Sequence, residues 1–196
     1  MQKTKKLKGQ CMAWIIDKTF EFCYGHRVWT QKLHGEYAAD LKCACRHLHG
    51  HEGKALVHLI SANDPNQLDL TGMVTDFRHL EWLKKFINEH IDHQFIIDSH
   101  DPIFDNIVGN HMVLYPVLVP GTDVIAGHKV DLTSVEPNTP EYEYYEGFFV
   151  VDFVPTSENL SNWLALIVNE KMKPLNVKTH SIEWWETPKS RSVYFA

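Results

Sequence analysis

The order of strand-like and helix-like segments restricts the fold of this 196-residue chain more than any other feature. Apolar alternation predicts two early strands, the first ending near His26, and a closing hairpin that is split by Thr187-Pro188-Lys189. These strands fall within residues 11–29, 51–61, 177–185 and 192–195. Because two helical patterns lie between the strand pairs, we expect an α+β domain whose antiparallel sheet carries two helices on one face.

Each helical pattern begins at a good capping residue. Asp76 precedes the first pattern, and Thr156 or Ser157 caps the second, with Glu158 in a first turn where the helix dipole favours an acid. Apolar residues recur at helical spacing in both patterns and predict two buried stripes. The stripes are Phe77, Leu80, Leu83, Ile87 and Ile91 in the first helix, and Leu160, Trp163, Leu164, Ile167 and Met172 in the second.

A long stretch, residues 98–152, separates the two helical patterns. It contains two β-like runs, 112–119 and 148–154, with Gly, Pro, Asn and acidic residues between them. We therefore predict a single domain over residues 1–196, with an inserted β-hairpin region at 98–152 that includes a long polar excursion.

Charge and composition exclude several classes of function. The formal net charge is −6, whereas nucleic-acid-binding domains usually present a basic surface, so we expect no nucleic acid partner. No apolar run is long enough to span a membrane. Four unevenly placed cysteines, without a recognisable secretory signal, predict a cytoplasmic protein with free thiols.

Histidine is the over-represented residue type, with thirteen in the chain. In a strand, the side chains of His49 and His51 would lie on one face about 6.5–7 Å apart, which allows both to bind one metal ion. An antiparallel neighbour that ends at His26 would add a third imidazole to that face. A His-x-His pattern alone also has a structural interpretation, but three imidazoles with an open fourth position are typical of catalytic zinc.

Two thiols precede the His-x-His pattern. A thiol near a metal ion and Arg46 would have a lowered pKa and would suit a base or nucleophile. Cys43 and Cys45 would alternatively be extra ligands of a closed Cys/His zinc site. We interpret Cys11 and Cys23 as strand-packing residues.

Two further carboxylates are candidates for chemistry. Asp92 lies beside His93 at the end of the first helical pattern, as in pairs that transfer protons, although a histidine there also answers the helix dipole. Glu186 follows Trp184 and Trp185 at the end of an apolar strand. It would either cap a hairpin in water or accept the planar N–H edge of a ring-shaped ligand.

Six motifs in the same order give the chain a family resemblance. It is similar to the 6-pyruvoyl-tetrahydropterin synthase and 6-carboxy-tetrahydropterin synthase family. The motifs are Phe22 through His26-Arg27, Cys45-Arg46-His47-Leu48-His49-Gly50-His51, Gly72-Met73-Val74-Thr75-Asp76-Phe77, Ile91-Asp92-His93, Pro155-Thr156-Ser157-Glu158 and Trp185-Glu186-Thr187.

The resemblance implies a tunnelling fold (T-fold), in which subunits form an oligomeric barrel, usually a hexamer built as a dimer of trimers, with active sites between subunits. It implies that His26, His49 and His51 bind Zn²⁺. It further implies that Cys45 is the proton-abstracting thiolate, with Asp92 and His93 as its relay. Glu186 would bind the pterin, and Thr156 and Ser157 would line the same pocket.

The position of the thiol bears on the reaction. In this family the pyruvoyl-forming enzymes place their cysteine six residues before the His-x-His and the carboxy-forming enzymes place it four before, and this chain has both, as Cys43 and Cys45. The other motifs are more similar to the carboxy-forming group.

The resemblance therefore implies a zinc-dependent lyase that converts 7,8-dihydroneopterin triphosphate to 6-carboxy-5,6,7,8-tetrahydropterin, acetaldehyde and triphosphate, a step toward deazapurines such as queuosine. The alternatives are the pyruvoyl-forming activity, a non-catalytic pterin-binding homologue, and a structural metal site in an assembly protein.

Overall fold

A computed structural model describes residues 13–33, residue 36 and residues 43–196. In these residues the chain forms eight strands and four α-helices. The strands are β1 (Ile16–His26), β2 (His49–Ser61), β3 (Gln94–Asp98), β4 (Leu114–Leu118), β5 (Ile125–Val130), β6 (Phe148–Val151), β7 (Val177–Thr187) and β8 (Ser190–Phe195). The helices are α1 (Thr30–Leu33), α2 (Glu81–His90), α3 (Pro140–Glu146) and α4 (Ser157–Met172).

All eight strands belong to one sheet, in the order β4-β5-β6-β3-β1-β2-β7-β8. The expected antiparallel pairing holds for β1 with β2, for β2 with β7, for β7 with β8, and for β5 with both β4 and β6. Strand β3 departs from it, because it runs parallel to both β1 and β6. The α+β class is confirmed, and the sheet is mixed.

Helices α2 and α4 pack against the same apolar core as β1, β2 and β7. That core includes Phe22, Leu83, Leu164 and Trp184, each almost fully buried. The second predicted stripe is buried throughout, and so is the first except at Phe77, which is 50% exposed.

The exposure of Phe77 corrects the predicted start of the first helix. The Asp76 carboxylate accepts the backbone N–H of Arg78 and caps a 3-10 turn, Phe77–Leu80, so that α2 begins only at Glu81. A 3-10 turn has three residues per turn. Phe77 therefore does not share the buried face of the α-helix that follows.

The segment 98–152 differs from the predicted hairpin in its pairing. Strand β4 pairs with β5. Both β5 and α3 lie in the stretch that was predicted to be a polar excursion. Strand β6 instead lies between β5 and β3. A second apolar cluster, comprising Ile97, Ile107, Val108, Val130, Phe148 and Val150, holds this part of the sheet together.

One hydrogen bond ties β5 to α4, since the buried indole N–H of Trp163 donates to the Ala126 carbonyl at 2.7 Å. We expect Trp163→Phe to lower the free energy of unfolding by about 1–3 kcal/mol, because the carbonyl loses its partner in a dry environment. Trp82→Phe is the matched control, since the indole N–H of Trp82 is buried with no hydrogen-bond partner among the described residues. Equal losses for the two variants in urea denaturation would contradict this account.

Candidate active site

Antiparallel pairing of β1 with β2 brings three histidines to the same face of the sheet. His26 lies opposite His49, and Tyr24 lies opposite His51. The Nε2 atom of His26 is 3.1 Å from Nε2 of His49 and 3.1 Å from Nε2 of His51. Two imidazole nitrogens on one tetrahedral zinc ion lie about 3.3 Å apart, so this spacing suits a shared ion.

Backbone carbonyls orient the three imidazole rings. His26 Nδ1 donates to the Pro155 carbonyl at 2.6 Å, and His49 Nδ1 donates to the His47 carbonyl at 2.8 Å. His51 has a hydrogen bond to the Glu186 carbonyl. Neutral rings that donate through one nitrogen present a lone pair at the other, so lone pairs of His26 and His49 point at each other. The two lone pairs repel each other unless a cation lies between the rings, so the arrangement fits Zn²⁺.

Burial keeps His26 neutral well below physiological pH. The residue is 1% exposed, and burial lowers its pKa to about 4, against the opposing effect of its bond to Pro155. Burial also lowers the pKa of His51. Both shifts favour the uncharged form that binds metal.

These shifts predict the pH dependence of metal retention. Free histidine gains a proton below about pH 6.5, but His26 gains one only near pH 4, so protons compete weakly with zinc for His26 between these values. We expect most of the zinc to remain bound at pH 5.5 and to be released as the pH falls toward 4. Equilibrium dialysis followed by metal analysis measures this, and half-release near pH 6.5 would contradict it.

Glu186 lies beside the histidine cluster at the end of β7. Its Oε1 atom is 3.9 Å from His26 Nε2, and its side chain is 26% exposed. Burial raises the pKa of Glu186, and the charge of Glu158 raises it further. A ligand that donates N–H groups to this carboxylate would offset the cost of burying its charge.

The start of α4 is close to the same cluster. Thr156 caps the helix by accepting the Asn159 N–H at 3.3 Å, and it directly follows Pro155, whose carbonyl holds His26. The Ser157 hydroxyl donates to Glu158. Thr156 and Ser157 thus directly follow the residue whose carbonyl holds His26, and their contact with a ligand stays a prediction.

Tyr24 is a neighbour of the cluster to which the sequence assigned no role. Its ring lies 5.3 Å from the His26 ring and 5.6 Å from the His51 ring, and its hydroxyl accepts the Trp184 indole N–H at 3.0 Å. A side chain at Gly53 would come within 2.8 Å of the Phe22 and Tyr24 rings, so this position requires glycine. The Tyr24 ring thus packs against two of the three histidine rings.

The two thiols before β2 interact with each other. The backbone N–H and the thiol of Cys45 both hydrogen-bond to Cys43, and these bonds lower the pKa of the Cys43 thiol. Burial raises the pKa of the Cys45 thiol, and the neighbouring Cys43 raises it further. The two thiols are therefore hydrogen-bonded to each other within one turn, and the role of Cys45 as the thiolate stays a prediction.

Two cations near the site already have partners. Arg27 Nε lies 2.9 Å from Asp101 Oδ2, in an ion pair whose carboxylate is fully buried. Arg46 donates to the Cys43 carbonyl at 2.6 Å and so helps to hold the thiol-bearing turn. Both arginines therefore support the polypeptide around the site.

Asp92 and His93 pair with each other and form a group separate from the three histidines, although His93, His49 and His51 all line one cavity. His93 Nδ1 lies 2.9 Å from Asp92 Oδ1, and the His93 side chain is 78% exposed. The neighbour of this pair is Cys23, which lies on β1 between the buried residues Phe22 and Tyr24 and is itself exposed. Successive strand residues point to opposite faces, so Cys23 faces away from His26.

Cys23 is therefore not the packing residue that was expected, and its position on the exposed face of β1 is the signal that was missed. Cys11 lies outside the described residues.

Comparison with known families identifies the family of the chain. Residues 15–196 match the family described as PTPS, 6-pyruvoyl tetrahydropterin synthase. The chain belongs to this family. Members are lyase-type enzymes, and the chain is an enzyme of this type.

Two curated relatives carry the same name, 6-carboxy-5,6,7,8-tetrahydropterin synthase. The protein from Aquifex aeolicus is 30% identical over 192 residues, which cover 93% of this chain and 98% of the relative. The protein from Synechocystis is 36% identical over 87 residues, which cover 44% of this chain and 60% of the relative. Both are similar to this member of the 6-pyruvoyl tetrahydropterin synthase family.

Solved structures confirm the T-fold. An uncharacterized protein from Wolinella succinogenes has a TM-score of 0.80 and 42% identity, covering 94% of this chain and 98% of its own. The 6-pyruvoyl tetrahydropterin synthase of Caenorhabditis elegans has a TM-score of 0.53 and 17% identity, covering 94% and 96%. Among the described helices of this family member, none combines the length and apolarity needed to cross a membrane.

Proposed function

We propose that the chain is a zinc-dependent lyase that converts 7,8-dihydroneopterin triphosphate to 6-carboxy-5,6,7,8-tetrahydropterin, acetaldehyde and triphosphate, as a step toward queuosine-type deazapurines. The observation that carries the proposal is the cluster of three imidazoles beside Glu186, in which the Nε2 atoms of His49 and His51 each lie 3.1 Å from that of His26. The shared name of the two curated relatives favours the carboxy-forming reaction over the pyruvoyl-forming one.

The residues divide the task between recognition and proton transfer. Glu186 accepts N–H groups from the guanidine-like edge of the pterin, while Thr156 and Ser157 contact the same ring system. Cys45, as thiolate, removes a proton from the substrate side chain, and His93, oriented by Asp92, transfers protons in the same site. Zn²⁺ held by His26, His49 and His51 would polarise the side-chain hydroxyls of the substrate and acidify the adjacent C–H.

The separation of Asp92 and His93 from the histidine cluster supports an oligomeric enzyme. Within one chain the Asp92–His93 pair adjoins Cys23 on the exposed face of β1, and the histidine cluster lies on the buried face. We therefore propose a homo-oligomer, a hexamer built as a dimer of trimers, in which this pair serves the site of a neighbouring subunit.

Mixing two inactive variants tests this arrangement. Each of Cys45→Ala and His93→Ala should lose turnover alone. If the two residues act across an interface, random mixing in equimolar oligomers leaves about a quarter of the sites intact, so about a quarter of wild-type turnover should return. Subunits are exchanged by mild dissociation and reassembly, with each variant treated alone as control. A mixture that stays inactive although exchange is verified would show that both residues act in one chain.

Product identification tests the reaction itself. Zinc-loaded protein given 7,8-dihydroneopterin triphosphate should release acetaldehyde and yield the carboxy product by mass spectrometry. A 6-pyruvoyl product would assign the sister activity instead. Tight pterin binding without turnover would favour a non-catalytic homologue, and unfolding on chelation without ligand binding would favour a structural metal site.

Two further parts of the proposal concern location and organisation. Cys23, Cys43 and Cys45 are free thiols, which fits a reducing compartment such as the cytoplasm. We treat residues 1–196 as one domain and residues 98–152 as an insertion in it. The second apolar cluster supports this division, because most of its residues come from that segment.

A further inference from the structure

We propose that Cys23, Asp92 and His93 form a second metal site, which binds zinc or cobalt through one thiolate, one carboxylate and one imidazole. One ligand atom from each residue lies within 4.8 Å of the other two. Bond lengths of about 2.0–2.3 Å place ligands on a tetrahedral ion about 3.3–3.7 Å apart. Small side-chain rotations therefore bring all three onto one ion.

The backbone already holds the three residues together. The Cys23 N–H donates to Asp92 Oδ1 at 2.8 Å, and the His93 N–H donates to the Cys23 carbonyl at 2.6 Å. The turn places His93 at a φ of 59°, a left-handed conformation that is uncommon for a residue other than glycine. The ligand positions are thus determined by strand pairing between β1 and the start of β3 rather than by a loose loop.

The chemistry of the three groups selects the metal. Thiolate and imidazole favour zinc and other late transition metals, whereas calcium and magnesium favour oxygen ligands alone. Three protein ligands leave a fourth position for water or a small anion. The ion has access, because His93 and Cys23 line a cavity of about 850 Å³ whose lining also includes Phe95 and, from the three-histidine cluster, His49 and His51.

This site is distinct from the three-histidine cluster. Cys23 lies on the exposed face of β1, and His26 lies on the buried face, so one ion cannot bind both sets within a chain. The consequence for catalysis rests on the proposed function: an imidazole that binds a metal ion no longer transfers protons. Occupation of the second site would therefore inhibit the enzyme once zinc exceeds one equivalent per chain.

Cobalt titration tests the site without requiring activity. The test uses a full-length variant with Cys11→Ala, Cys43→Ala and Cys45→Ala, so that Cys23 is its one thiol. This variant is kept reduced with a non-chelating phosphine. We expect two cobalt ions per chain and the near-ultraviolet charge-transfer band of thiolate-bound cobalt. Adding Cys23→Ser should remove the band and one of the two ions. In the three-alanine chain, His49→Ala with His51→Ala should keep the band while the other ion is lost.

Two results would overturn the proposal: no charge-transfer band in the chain that retains Cys23, or a second cobalt ion that stays after Cys23→Ser. The activity measurement is separate. Zinc beyond one equivalent per chain should inhibit the wild type, and Cys23→Ser should not show this inhibition. Each protein is compared with its own turnover at one equivalent of zinc. If no substrate turns over at all, the proposed function fails while the cobalt titration still decides the metal site.

Discussion

Replacing His49 with alanine should remove the catalytic metal and almost all turnover. His49 contributes one of the converging Nε2 atoms, 3.1 Å from that of His26, and two remaining imidazoles bind zinc far more weakly than three. Changes to residues that only orient metal ligands typically cost 10–100-fold, so loss of a ligand should lower kcat/KM by at least about a hundredfold. Zinc content by metal analysis and turnover with added zinc measure the two effects.

His58→Ala is the matched control for this variant. His58 is also on β2, but it interacts with Glu183 at 3.3 Å and lies on the opposite face from His49 and His51. It should keep its zinc and its turnover. If His49→Ala retained a full equivalent of zinc and wild-type activity, the three-histidine cluster would not be the catalytic metal site.

Cys45→Ala should lower turnover by about 10²–10⁴-fold, the usual contribution of a positioned proton-transfer group. Zinc content should be unchanged, because the three imidazoles are intact. Cys43→Ala is the control, and it should keep turnover within a few-fold of the wild type. The reverse pattern, with turnover lost only in Cys43→Ala, would assign the reaction to the other thiol.

The control also has a predicted pH signature. Cys43 helps to raise the pKa of the Cys45 thiol, so removing Cys43 should let the Cys45 thiolate form at lower pH. The acidic limb of the kcat/KM profile should therefore move to lower pH in Cys43→Ala. An unmoved limb would show that the two thiols do not interact during turnover.

The strands and helices that carry strong periodicity were predictable from the sequence, and the short buried ones were not. Strands β1 and β2, helix α4 and the closing hairpin follow their apolar patterns. Strand β3 has only five residues, directly follows a helical pattern, and is buried at Ile96 and Ile97 without alternation. A short apolar run of this kind does not distinguish a strand from the end of a helix.

Tertiary contacts decide the structure of β5. It contains Gly127, His128 and Lys129, which indicate a polar loop when considered alone. The Lys129 side chain donates to Gln94 Oε1 at 2.8 Å and to the Glu146 carbonyl at 3.1 Å, and these contacts connect the strand to distant parts of the chain. No local pattern contains that information, so the partner of β4 was predicted wrongly.

The histidine cluster could be predicted from residue spacing, because strand geometry alone determines which side chains share a face. His49 and His51 are two residues apart, and the end of the preceding strand places His26 opposite His49. The same rule, applied to Cys23, would have shown that this thiol lies on the opposite face from His26. The hydrogen bonds between Cys43 and Cys45 depend on a turn, and no period in the sequence predicts them.

The carbonyls that orient the three imidazoles have a consequence for how this site can change. The acceptors for His26, His49 and His51 are main-chain oxygens of Pro155, His47 and Glu186, which belong to three separate segments. A side-chain substitution deletes none of them, since every residue keeps its carbonyl. Substitutions at these three positions therefore leave the hydrogen-bond acceptors of the rings in place, and only a displacement of the backbone removes one.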